Sequence, residues 1–273
     1  IIDLVKFGTV NSRLAAMMWV WIEGLDSRPA NFVIAGGTGS GKTTTLNCLG
    51  MYIPWHRRLL TVEDTAELQV YHDHWLRMET RRERPDGTPE VDMNDCLKSS
   101  LRMRPDRIIV GEVRGPEAAT LLTAMNTGHD GSFGSLHANT AQETVTRMIN
   151  PPMSVPPIML TGLDLIIIQA RLHVNGKTAR KITEVAEIAG MEGSKPRLNT
   201  IWKYNASTDQ IEETGIPSNL REVICRAAGV TPDVFEKHVN QRQQIIEDLI
   251  ARDITDIQSV TTVIQNFYAQ SHH

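Results

Sequence analysis

Gly36-Gly-Thr-Gly-Ser-Gly-Lys-Thr-Thr-Thr45 is the stretch on which the reading of this chain turns. It follows the short apolar run Asn31-Phe-Val-Ile-Ala35, of strand type, and precedes Leu46 to Met51, which can begin a helix. Gly36, Gly41, Lys42 and Thr43 fill every fixed position of the phosphate-loop pattern G-x-x-x-x-G-K-[ST]. Glycines let the backbone curl so that its N–H groups face phosphate oxygens with no Cβ in the way. The following helix adds the positive end of its dipole. Gly36, Gly37, Thr38, Gly39, Ser40, Gly41, Lys42, Thr43 and Thr44 are therefore the candidate nucleotide-binding residues. Within them Lys42 can reach the β- and γ-phosphates, and the Thr43 hydroxyl can ligand Mg²⁺. A chance glycine-rich turn is the alternative, and the strand before and helix after weigh against it.

Composition narrows the class without deciding it. The 273 residues are enough for one large domain or two small ones, with a substantial core. A hydrophobic fraction of 41% and a charged fraction of 22% are ordinary for a globular chain. The net charge of -4 exerts no global pull towards nucleic acid or anionic lipid. Cys48, Cys96 and Cys225 are odd in number and widely spaced, so neither a disulfide framework nor a zinc site is expected. No apolar run approaches the roughly 18 residues of a membrane-spanning helix, and no signal peptide is visible. The chain starts at Ile1 inside a helical or linker pattern, and a preceding N-terminal part is expected.

Strand and helix patterns alternate downstream of the loop. Helical spacing through Leu14, Met17, Met18, Trp21, Ile22 and Leu25, capped by Asn11 or Ser12, leads towards the first strand. After the loop come a strand over Arg57 to Val62, an extended stretch over Leu68 to Thr80 and a charged loop over Arg81 to Glu90. A helix over Met93 to Met103 precedes a buried strand at Arg107 to Val110. Pro116 to Asn126 reads as helix, Gly131 to His137 as strand and Gln142 to Ile149 as helix. This alternation predicts a mostly parallel sheet covered on both faces, an α/β fold. The pattern ends at Pro151-Pro152 and Pro156-Pro157. Leu163 to Val174 and Ala179 to Ile188 then read as an antiparallel hairpin turning at Asn175-Gly176, with a second hairpin over Arg197 to Tyr204 and Gln210 to Thr214. Ser218 to Ala269 is helical, broken near Gly229 and Asp253. The expected organisation is an N-terminal helix and linker over 1–28, a core with its hairpin extension over 29–216, and a helical C-terminal subdomain over 217–273.

Many nucleotide enzymes share the loop, so the polar residues that follow it must separate them. Glu112 ends the apolar strand Ile108-Ile-Val-Gly-Glu112, where a carboxylate can act through Mg²⁺ or orient an attacking water. Glu63, Asp64 and Glu67 form a second acidic group at another strand end. Carboxylates from two strand ends would converge on one Mg²⁺–phosphate site at the carboxyl edge of the sheet. His129 and His137 bracket the glycine-rich segment Gly128 to Leu136 and are candidate phosphate sensors.

Taken together, the loop, Glu63-Asp-Thr-Ala-Glu-Leu68, Ile108 to Arg114 and Gly128-His-Asp-Gly to Leu136-His-Ala-Asn-Thr140 resemble, in order and spacing, the Walker A, Asp box, Walker B and His box of the type II/IV secretion ATPase superfamily. Trp75 to Thr80, Met125 to Asp130 and Asn150 to Met153 are similar to the archaeal branch, which drives archaella and archaeal pili. The resemblance runs from about Asp3 to the last helices. It implies a RecA-like P-loop NTPase using ATP and Mg²⁺ in a homo-hexamer. It also implies a further N-terminal domain, a polytopic membrane platform as partner, and a cytoplasmic place at the inner face of the membrane. Glu112 and Glu63 become candidate general bases and metal contacts beside Thr43, with Glu112 favoured as the base. His129 and His137 become the sensing pair, and Arg77, Arg81 and Arg102 become candidates to reach phosphate, including that of a neighbouring subunit. One departure is Arg82-Glu-Arg-Pro-Asp86, where related sequences carry a Pro-Asn-rich loop.

The expected activity is ATP hydrolysis that powers assembly of a pilus-like filament, an archaellum or a type II secretion machine. One rival is a RecA-like nucleic-acid or conjugation motor, which the acidic balance and few aromatics disfavour. The other is a nucleotide-gated scaffold with little turnover, which the carboxylates at Glu63 and Glu112 disfavour.

Overall fold

The computed structural model describes residues 1–174, 176–193 and 195–271. One nine-stranded sheet runs through the chain. Its strands are β1 (Phe32–Ala35), β2 (Leu59–Glu63), β3 (Trp75–Glu79), β4 (Arg107–Val110), β5 (Phe133–Leu136), β6 (Leu165–Val174), β7 (Lys177–Glu192), β8 (Lys195–Asn205) and β9 (Gln210–Glu213). In space they lie in the order β3-β2-β4-β5-β1-β6-β7-β8-β9. The segment from β3 to β6 is parallel, and from β6 to β9 every pairing is antiparallel. The two expected hairpins are thus not a separate layer: they continue the main sheet through the β1·β6 pairing. Asn175 of the expected turn lies outside the described residues, and Gly176 beside it has φ +76°.

Alternation along the central strands divides the core into two. Phe32, Ile34, Ile109, Phe133, Leu165 and Ile167 face one side, and Val33, Ala35, Ile108, Val110, Ile166 and Ile168 the other. The second side is covered by α4 (Met93–Leu101), α5 (Glu117–Asn126) and α6 (Ala141–Ile149). The first receives α1 (Ile2–Lys6), α2 (Ser12–Glu23), α3 (Lys42–Gly50), α8 (Pro232–Ala251) and α9 (Ile257–Ser271), with α7 (Asn219–Ala228) packed at its border.

α2 explains how the N-terminal segment joins this layer. Asn11 caps it by accepting from Leu14 N, and Gly24 ends it in the left-handed region at φ 68°. Residues 14 to 23 are all buried, as a helix apolar on every side must be. The one charged residue of this buried run, Glu23, pairs with the buried Arg242 of α8, whose guanidinium also lies over the rings of Trp19 and Phe267. The C-terminal helices therefore share a core with the start of the chain.

Candidate nucleotide site

The loop between β1 and α3 takes its curve from residues that admit no side chain. A Cβ at Gly36 would stand 2.1 Å from the carbonyl oxygen of Gln169. Gly39 and Gly41 have φ of +73° and +97°, in the region that glycine alone adopts freely. Gly41 precedes α3 without capping it through a side chain, so the first amides of the helix stay available to an anion. Lys42 Nζ folds back to donate to Gly36 O at 2.8 Å and Gly37 O at 3.1 Å. Burial lowers its pKa, and the charge of Glu112 acts in the opposite direction. Ser40 Oγ is buried and has no hydrogen-bond partner among the described residues.

The carboxyl ends of β2 and β4 bring the acidic residues beside this loop. Glu112 Oε1 lies 2.8 Å from His137 Nε2, and Oε2 accepts from Arg114 Nε at 2.8 Å. That hydrogen bond raises the pKa of Arg114. The short turn carrying Arg114 is fixed in turn by Glu117, whose Oε1 accepts from the amides of Arg114 at 2.6 Å and Gly115 at 2.8 Å. Glu63 is only 2% exposed. Its Oε1 accepts from Glu67 N at 2.9 Å and Leu68 N at 2.8 Å, while Oε2 has no hydrogen-bond partner. Glu67 Oε2 accepts from Thr43 Oγ1 at 3.3 Å. A cavity of about 680 Å³ joins Lys42, Thr43, Glu63, Glu67, Glu112 and His137, within the range of small-ligand sites.

Other expected residues fall elsewhere. His129 stands before β5 and His137 after it, so the strand holds the two at opposite edges of the sheet. His137 alone reaches the cavity, and the expected sensing pair is not brought together in this chain. Arg102 ends α4 on the amino side of β4 and is exposed, again at the far edge. Arg77 is exposed but engaged on its own chain: it donates to Leu68 O at 2.7 Å, stands 3.6 Å from Glu63 Oε2 and lies over Trp75. Arg81 donates to Pro89 O at 3.1 Å within the charged loop.

Gln169 was not singled out by the sequence, yet it braces the loop. It is buried opposite a bulge in β7 and accepts from Thr45 Oγ1 at 2.8 Å. From β7, Arg180 Nε donates to Gly39 O at 3.0 Å. No local pattern marks either residue, because each comes to the loop through strand pairing from more than a hundred residues away.

Among the described residues no group of three His, Cys, Asp or Glu side chains could hold a metal ion. The donors present instead fit Mg²⁺ arriving with a nucleotide. That ion takes one or two protein oxygens, completing its shell with phosphate oxygens and water. Thr43 Oγ1 and Glu63 Oε2, which has no hydrogen bond and only the longer ion pair with Arg77, are of this kind.

A family model described as type II/IV secretion system protein matches residues 2–263. The chain belongs to this family. An uncharacterised protein of Methanocaldococcus jannaschii, MJ0781, is 28% identical over 98% of this chain and 61% of its own length. The conjugal transfer protein TrbB of Rhizobium radiobacter is 40% identical over 61% of this chain and 50% of its own. The crystal structure of the VirB11 ATPase from the Brucella suis type IV secretion system, in complex with sulphate, superposes with a TM-score of 0.51. It is 28% identical over 68% of this chain and 54% of that one. The chain thus spans between half and two thirds of each of these relatives. Its fold is that of a RecA-like secretion ATPase, with the mostly parallel sheet, antiparallel strands and C-terminal helices described above.

Proposed function

We propose that this chain is the motor domain of an ATPase that hydrolyses ATP to drive assembly of a pilus-like filament, an archaellum or a type II secretion machine. The observation that carries the reading is Glu112, held by Arg114 and His137 across the cavity from Lys42 and Thr43. Glu112 orients the attacking water and accepts its proton. Lys42 exchanges the carbonyls of Gly36 and Gly37 for phosphate oxygens. His137, in contact with Glu112, senses the γ-phosphate. Glu63 is the second candidate base, but two backbone amides already engage one of its oxygens, which suits it better to shaping the 64–68 turn beside a metal. Thr43 would hold Mg²⁺ arriving with the nucleotide, which would supply charge neutralisation at the phosphates.

The working assembly in this proposal is a homo-hexamer with a further N-terminal domain, docked on a polytopic membrane protein at the cytoplasmic face. Among the described residues no helix is long and apolar enough to cross a membrane. Subunits rotate as rigid bodies as γ-phosphate contacts form and vanish. Arg77 and Arg102 remain proposed contacts to nucleotide from or towards a neighbouring subunit. A conjugation motor is the second reading, favoured by the likeness to TrbB. DNA binding that falls steeply with salt would select it.

The test is steady-state ATP hydrolysis by purified Lys42→Ala and Glu112→Gln proteins. Each is expected to lose about 100-fold or more, the scale of a lost base or charge-stabilising group. Full activity in either would remove that residue from the assigned site.

A further inference from the structure

Two arginines of the β6–β7 hairpin, Arg171 and the loop-bracing Arg180, have no part in the chemistry proposed so far. In the antiparallel register Arg171 stands directly opposite Arg180. Like charges at paired positions repel, and strands ordinarily avoid them. Both side chains are exposed, and no carboxylate among the described residues forms an ion pair with either. The two do not point to open solvent at random. Arg171 and Gln169 occupy alternate positions of one strand and so share a face. The Gln169 side chain on that face reaches the phosphate loop, since a Cβ at Gly41 would stand 2.9 Å from its Nε2 and its Oε1 accepts from Thr45 Oγ1. Arg180 Nε holds Gly39 O at 3.0 Å, and Arg171 Nη1 is 3.9 Å from where a Cβ on Gly39 would be. Two guanidinium groups therefore flank the crest of the loop on the side away from Glu112.

We propose that Arg171 and Arg180 form a cationic clamp that binds the α- and β-phosphates of the nucleotide from the hairpin side. This rests on the phosphate-loop reading and adds to it a second set of contacts. The division of the site supports the assignment to that end of the nucleotide. The cavity holding Glu112 and His137 takes the terminal phosphate. A separate cavity of about 700 Å³ on the other side of the loop is lined by Phe7, Thr9, Gly39, Thr44, Lys177 and Arg180. It has the size for the nucleoside and an exposed aromatic ring, Phe7, at its border. Phosphates passing from one cavity to the other cross the loop at Gly39, Lys42 and Thr43, which line both, with Arg180 on the wall of the second cavity and Arg171 beside Gly39. A guanidinium meets two phosphate oxygens in a planar fork that lysine does not reproduce.

The experiment is calorimetric binding of ADP and of ATP with Mg²⁺, under non-hydrolysing conditions, to the wild type, Arg171→Ala, Arg180→Ala, Arg180→Lys and Lys42→Ala. Each alanine variant is expected to lose about tenfold in affinity for ADP and ATP alike, the scale of one charge-assisted contact. Arg180→Lys should recover part of its loss. The melting temperature of apo Arg171→Ala should be unchanged or higher, because a like-charge pair is relieved; a pair kept for structure would lower it. Affinity within twofold of wild type in both alanine variants overturns the clamp, as does a loss confined to ATP, which would put the arginines at the γ-phosphate. Unimpaired binding by Lys42→Ala would instead overturn the phosphate-loop reading itself.

Discussion

The two edges of the parallel sheet are both rich in polar residues, but they use them in opposite ways. At the amino edge Asn31 is fully buried and fully employed. Its amide nitrogen donates to Gly162 O at 3.0 Å, with longer contacts to Asp130 and Met125. Its side-chain oxygen accepts from Gly131 N and Ser132 N, and its backbone N–H donates to Asp164. Asp164 also takes Arg28 at 3.0 Å, and Arg107 donates to Asp130 O at 2.9 Å. At the carboxyl edge, among the described residues, Ser40 Oγ and Glu63 Oε2 are buried without hydrogen bonds, Oε2 having a 3.6 Å ion pair with Arg77, and Lys42 donates to carbonyls of its own loop. Buried polar groups left unpaired are costly, so a fold keeps them where a ligand completes them. Around Asn31 the fold satisfies its own polar side chain, although Arg107 Nε and His129 Nδ1 at the same edge lack hydrogen bonds; around the loop it leaves oxygens that a ligand can complete.

The largest effect that could break this comparison belongs to Asn31. Asn31→Ala removes three donated and two accepted side-chain bonds in a dry site. It should cost on the order of 3 kcal/mol of stability by denaturant unfolding. Nucleotide affinity of the remaining folded protein should stay near that of the wild type. A fall in affinity without a fall in stability would mean that the amino edge is not merely structural.

Asp164 sharpens the contrast through pH. Burial raises its pKa to about 6, against the pull of Arg28 and the Asn31 amide and with the repulsion of Asp130. The folded-state value thus lies above the unfolded one, near 4. Between those values the native protein holds the extra proton, so stability rises as pH falls from 7 towards 4. Relative to Asp164→Asn, the wild type should gain about 2 kcal/mol over that interval. A flat difference between the two unfolding curves would show that Arg28 already compensates the charge.

How much of this was legible in the sequence follows the same division. The loop, Glu112 and His137 sit in contiguous motifs at the carboxyl ends of strands, and chain order alone puts them on one edge. His129 and His137 are neighbours in one motif, but β5 lies between them and carries them to opposite edges of the sheet. Arg102 likewise precedes β4 where Glu112 follows it, so within one chain it lies at the other edge. Gln169, Arg171 and Arg180 were invisible because strand register, rather than any local pattern, carries them to the loop. The buried α2 was legible as a helix from its spacing. Its place in the main core depends on α8, more than two hundred residues further on.

The smallest expected effect is the most direct probe of the functional edge. Ser40 is 1% exposed and its hydroxyl is unsatisfied, so Ser40→Ala removes a buried polar group that the apo protein does not use. Apo stability should stay level or rise by up to about 1 kcal/mol, the reverse of an ordinary serine deletion in a core. Nucleotide affinity should fall at the same time, because the hydroxyl's partner is the ligand. Differential scanning with and without ADP reads both quantities: the apo melting temperature holds or climbs while the ligand-induced rise shrinks. A variant that melts lower without ligand and keeps the full rise with it would show that Ser40 has a partner inside the fold, and that want of partners does not by itself distinguish the two edges.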